Sequence, residues 1–133
     1  TAAVVTRNLA EVLAITGSDV QTLDTAREAA KRIMEFGPLA VVVKGGHLEG
    51  PDAIDLLYDG KTMTEFSALR STQGSVHGTG CAFAAAIAAG LALGDSIPAA
   101  VQRAKTYVTG AIEHSIAIGD GARLLNHFWI YTE

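Results

Sequence analysis

Leu39-Ala40-Val41-Val42-Val43 is apolar at all five positions and ends in three β-branched residues. A strand of this kind has no wet face, so it fits a sheet covered on both sides, as in α/β folds. The residues before it strengthen that reading. Ala26, Ala29, Ala30, Ile33 and Met34 recur at helical spacing, with Arg27, Glu28, Lys31, Arg32 and Glu35 left for solvent. Thr22 or Asp24 can cap that helix, and Gly37-Pro38 ends it. Further upstream, Ala2-Ala3-Val4-Val5-Thr6 reads as a short buried strand, and residues 8 to 17 as a short helix. Strand, helix and strand at this spacing predict a parallel pair joined by a right-handed crossover. Ligands of open α/β sheets bind at the carboxyl ends of such strands.

Three stretches fall on that edge. Asn8-Leu9-Ala10-Glu11 follows the first strand. An Asn followed three residues later by Glu forms a capping box, and the same acid could serve a metal. Lys44-Gly45-Gly46-His47 follows the second strand. Its lysine suits a phosphate and its glycines allow close backbone approach, although a solvated lysine beside an ordinary Gly-Gly turn has the same sequence. His47 reads as a loop or packing residue, because none of the four histidines has a second ligand at zinc-like spacing.

The third stretch is His77-Gly78-Thr79-Gly80-Cys81, which runs into the Ala-rich segment 82–93. The segment is strong helix-forming sequence, which predicts Cys81 at or near the first helical position. A helix start carries unpaired N–H groups and partial positive charge, which together bind phosphate. The same field favours a thiolate, which makes Cys81 a candidate base. A glycine-rich turn that merely starts a buried helix is the alternative.

Between these stretches, residues 53–58 and 63–68 flank Asp59-Gly60 and predict a β-hairpin. Residues 70–76 read as a polar connection. Ser96 and Pro98 open a helix expected to run from Ala99 to about Ala117, and the apolar tail 124–131 should dock on the body. With 133 residues and no linker or repeat, the chain is expected to form a single domain, residues 1–133. A net charge of −4 gives no basic footprint, so neither nucleic acid nor an anionic membrane is an expected partner. One cysteine excludes an internal disulfide, the most apolar run is too short to span a bilayer, and no signal-like segment opens the chain. The expected location is the cytoplasm.

Taken jointly, an acid for a metal, a lysine for phosphates and an anion hole with a base form a kinase constellation. On residues 6–11, 42–48, 55–60 and 77–89 the sequence resembles the C-terminal half of hydroxymethylpyrimidine/phosphomethylpyrimidine kinases, of the ribokinase-like superfamily. The resemblance extends over essentially the whole chain. Its most specific element is Cys81, because most ribokinase-like enzymes have aspartate there. It implies a mostly parallel sheet flanked by helices, with a β-hairpin, and Mg²⁺-dependent transfer of the ATP γ-phosphoryl group to hydroxymethylpyrimidine or its monophosphate in thiamine biosynthesis. Gly78, Thr79, Gly80 and Cys81 would form the anion hole, with Cys81 as base. Glu11 would act on Mg²⁺ through water with Asn8 in support, and Lys44 would contact the nucleotide phosphates. Arg7 stands where the family usually has proline, and Ser75-Val76 where a Thr-containing pair is common, so position 76 offers no hydroxyl to the nucleotide. Nothing in the chain corresponds to the family's first half, which supplies most of the acceptor pocket. The expected partners are therefore a pyrimidine substrate, ATP, and either a missing N-terminal half or further copies of the chain. A pyridoxal kinase of the cysteine-containing type and a non-catalytic nucleotide-binding remnant are the alternative readings.

Overall fold

Parallel pairing joins β1 (Val4–Asn8) to β2 (Ala40–Gly45) in a computed structural model of the chain that describes residues 1–46 and 48–131. His47, Thr132 and Glu133 lie outside the described residues. Two compact units divide the chain, Thr1–Arg70 and Ser71–Glu133.

In the first unit, α1 (Leu9–Thr16) and α2 (Leu23–Met34) connect the parallel strands. Both helices start on capping boxes, Asn8 with Glu11 and Thr22 with Thr25, and α1 stops at Gly17. The buried face of α2 is the one its spacing predicts: Ala26, Ala29, Ala30 and Ile33, packed with Val12, Val20, Val41, Val43, Leu48 and Leu56. Val42 and Leu57 point the other way along their strands and are equally inaccessible, so β2 is covered on both faces. Leu39, by contrast, is 62% exposed and precedes the strand. A hairpin of β3 (Asp52–Tyr58) and β4 (Met63–Leu69) extends the same sheet in the order β1-β2-β3-β4. Its two pairings, β2 with β3 and β3 with β4, are antiparallel, so the sheet is mixed. At the turn, the Thr62 and Lys61 N–H groups hold the Asp59 carboxyl below the usual carboxylate range.

Two details differ from the sequence reading. The first strand begins at Val4 rather than Ala2, and all five residues are only half-buried, because β1 is the edge of this sheet with a single neighbour. The glycines after Lys44 also separate in role. Gly45 is a strand residue paired with Ile54, and a Cβ there would meet the Ile54 carbonyl oxygen at 2.0 Å, whereas Gly46 faces open space. Position 45 is therefore glycine because β3 approaches closely. Gly45→Ala should destabilise the chain by about 3 kcal/mol, the upper end for overpacking, since the clash is with main chain. Urea unfolding measures this, and an unchanged midpoint would mean that the sheet yields.

The second unit holds the two-residue strand β5 (Val76–His77), α3 (Thr79–Ala92), α4 (Ile97–Glu113), the short strands β6 (Ile116–Ile118) and β7 (Ala122–Leu124), and a 3-10 turn, Trp129–Tyr131. Their sheet order is β5-β7-β6. The helices pack so closely that a Cβ on Gly90 would lie 3.0 Å from that of Ala100. Ser96 caps α4, with Pro98 in its first turn. The helix stops at Glu113, four residues before the expected end. Ser115 turns inward to meet the Arg123 guanidinium, and Ile116 and Ile118 pair with β7 instead of continuing the helix. Of the tail, Leu125 is buried and Trp129 half-buried, while Phe128, Ile130 and Tyr131 are exposed.

Candidate functional site

Register brings the first group of candidate residues together. Asn8 ends β1 directly opposite Lys44 on β2, so both stand at the carboxyl edge of the parallel pair. Asn8 Oδ1 accepts from the Glu11 N–H at 2.8 Å, and Glu11 Oε2 accepts from the Asn8 N–H at 2.9 Å. The capping reading of this pair is thus realised in full. It leaves the exposed Glu11 carboxylate a second oxygen and its charge, which suits a metal reached through water. Among the described residues no group of three or more His, Cys, Asp or Glu side chains could hold a metal by itself.

Lys44 is half-buried and paired in the antiparallel ladder with Asp55, whose side chain is deeply buried. Asp55 Oδ1 accepts from the Gly45 N–H at 3.1 Å, fixing the main chain just after the lysine. Asp55 is not among the candidate site residues of the sequence, although an acid inside an apolar strand is a readable signal. Arg70 is likewise absent from the candidate site residues. Its guanidinium donates to the carbonyl oxygens of Gly46, Leu48, Gly50 (3.1 Å) and Asp52 (3.2 Å), and its own N–H bonds Pro51 O at 2.9 Å. No sequence pattern announces this, because all the acceptors are main chain.

The second group belongs to the second unit. Gly78 has φ +90°, a conformation open to glycine, and it is the N-cap of α3. The helix therefore begins at Thr79, and Cys81 is its third residue, within the first turn as expected. No side chain caps this end, and the first helical bond runs from the Ala82 N–H to Gly78 O at 3.0 Å. The N–H groups of Thr79, Gly80 and Cys81 all precede that bond, at the positive end of a 14-residue helix. Cys81 is exposed. Such an end accepts an anion, and it places a thiol beside it.

Residues 1–126 match the phosphomethylpyrimidine kinase family. A hydroxymethylpyrimidine/phosphomethylpyrimidine kinase of Streptomyces coelicolor is 46% identical over 132 residues, which are 99% of this chain and 49% of that protein. Among solved structures, a pyridoxal kinase of Bacillus subtilis in an ADP complex superposes with a TM-score of 0.93 at 34% identity, covering 98% of this chain and 50% of that one. A Staphylococcus aureus pyridoxal kinase with AMP-PCP and pyridoxal gives 0.90 at 35% identity, covering 94% and 47%. The chain thus spans about half the length of the curated relatives it matches. The fold is ribokinase-like, an α/β arrangement of mixed sheet and helices. Among the described residues no helix is long and apolar enough to cross a membrane.

Proposed function

This chain belongs to the phosphomethylpyrimidine kinase family, and we propose that it is the nucleotide and anion-hole half of a cytoplasmic, ATP- and Mg²⁺-dependent kinase for hydroxymethylpyrimidine or its monophosphate in thiamine biosynthesis. The observation that carries this reading is the start of α3: a left-handed Gly78, no side-chain cap, and an exposed Cys81 in the first turn. The N–H groups of residues 78–81 hold the transferring phosphoryl oxygens. Cys81 takes the proton of the acceptor hydroxyl as that oxygen attacks the γ-phosphorus and ADP departs. Lys44 binds the nucleotide phosphates. Glu11, oriented by its cap with Asn8, would hold Mg²⁺ through water, and the metal would offset phosphate charge.

A second reading, phosphorylation of pyridoxal, is favoured by the pyridoxal kinases among the solved neighbours. Steady-state phosphorylation by the complete enzyme, with hydroxymethylpyrimidine, its phosphate and pyridoxal as acceptors, decides between them. Highest kcat/KM with a hydroxymethylpyrimidine is expected, and preference for pyridoxal would replace the first reading with the second. Binding of MgATP without turnover on any of the three would mark a non-catalytic remnant.

Two substitutions test the assigned roles. Lys44→Ala should weaken ATP binding by about 1.5–3 kcal/mol, the scale of a lost charge-assisted contact. Glu11→Gln keeps an oxygen for the Asn8 N–H and so preserves the capping box. Its effect should appear as a raised Mg²⁺ requirement with little change in stability. A Mg²⁺ titration indistinguishable from that of the parent enzyme would leave Glu11 as a cap only.

A further inference from the structure

The main chain that delivers Gly78 is β5, only two residues long, and its partner is the C-terminal strand β7. Val76 pairs with Arg123 and His77 with Leu124, in parallel. Immediately after β7, buried Leu125 lies against the turn: a Cβ on Gly78 would be 3.9 Å from Leu125 Cδ1. A two-residue ladder is a weak restraint, so whatever fixes β7 and Leu125 also fixes the first residues of α3.

Those restraints come from α4. Arg123 Nε and Nη2 donate to Ser115 Oγ (2.9 Å) and Ser115 O (2.6 Å), just beyond the helix. The Asn126 N–H bonds Ala111 O at 3.2 Å. Trp129 then lies on bare helix backbone at Gly110, where a Cβ would come within 2.3 Å of the indole. Its Nε1–H donates to Tyr107 O at 3.0 Å, and the His114 ring stacks on it at 5.5 Å and 15°. His114 is itself held by Nδ1 donating to Gly110 O at 2.8 Å. The Tyr107 hydroxyl meets His127 Nδ1 at 2.9 Å. The indole fills the notch that Gly110 leaves on the helix.

We infer that residues 122–131 are a strap that positions the Gly78–Cys81 anion hole, and that Trp129, seated on Gly110, is its anchor and a positioning residue for phosphate binding. This rests on the reading that the N–H groups of residues 78–81 hold a phosphoryl group. An anion hole works by preorganisation, and donors that drift by a fraction of an ångström lose most of their effect. Linkage then requires the converse: a phosphate ligand in the hole favours the docked strap.

The chain carries one tryptophan and one cysteine, and each reports one end of this coupling. In the 133-residue chain itself, MgADP and inorganic phosphate should slow alkylation of Cys81 by iodoacetamide. The same ligands should reduce acrylamide quenching of Trp129 fluorescence. Trp129→Ala should weaken MgADP binding by roughly threefold to thirtyfold, the range for residues acting on a site through others. Trp129→Phe, which refills the notch, should restore most of that loss, a rescue that a general loss of stability would not show. If neither ligand protects Cys81, the phosphoryl-holding reading fails and the strap inference falls with it. If Cys81 is protected but Trp129 quenching is unchanged by ligand, the anion hole stands and the strap inference is overturned. That measurement uses the unmutated chain, so it decides the matter even if Trp129→Ala does not fold.

Discussion

Replacing Cys81 with alanine in the complete enzyme should lower kcat by roughly 10²–10⁴-fold, the usual contribution of a positioned general base. ATP binding should stay nearly unchanged. Alanine is the best helix former, so the first turn of α3 and its N–H groups persist without the sulfur. Cys81 is exposed on that turn, so the substitution opens no core cavity and its effect reads as chemistry rather than stability. Single-turnover kinetics at saturating MgATP separates the two. Near-normal turnover would mean that the proton leaves by another route and that positioning alone supplies the rate.

The second large effect is all-or-none. The 133 residues alone should give no measurable phosphorylation of hydroxymethylpyrimidine or its phosphate, and turnover should appear when the other half of the relatives' length is supplied, in cis or as a separate chain. Phosphoryl transfer needs the acceptor hydroxyl in line with the γ-phosphorus, and most of the rate comes from that alignment. Four of the eight aromatic residues are engaged elsewhere: Phe66 and Phe83 are core, and Tyr107 and Trp129 anchor the tail. Strand β1 meanwhile presents an unpaired edge with all five residues half-buried, and Leu13, Ile15 and Phe36 are exposed in the same unit. An open strand edge with apolar surroundings favours a further strand. Association with the added half should therefore be seen by sedimentation. Robust turnover from the 133-residue chain as a monodisperse monomer would refute the half-enzyme reading, and self-association without added half would point to a homo-oligomer.

Locally encoded features were the legible ones. The caps at Asn8 and Thr22, the stop at Gly17, the buried face of α2 and the Asp59-Gly60 hairpin each depend on residues a few positions apart. The end of α4 was not legible, because Ile116 and Ala117 continue its apolar spacing and three-residue strands leave no period to detect. Gly45 misled for a different reason. A glycine excluded from bearing a side chain by a neighbouring strand and one that makes room for a ligand look the same in sequence. Of the candidate site, the Gly78–Cys81 turn and the Asn8–Glu11 pair were readable from spacing. The docking of the tail was readable from its apolar residues, but Arg70 was not, since its acceptors are all main-chain atoms.

Arg70 has a consequence for anyone redesigning the segment that follows Lys44. Residues 46 and 48–52 contain no helix or strand before Asp52, and four of their carbonyl groups converge on one guanidinium. The shape of that segment is therefore stored outside it, at the far end of the hairpin. A graft that carries residues 44–52 into another scaffold without an arginine at the equivalent of position 70 transfers the letters and leaves the conformation behind.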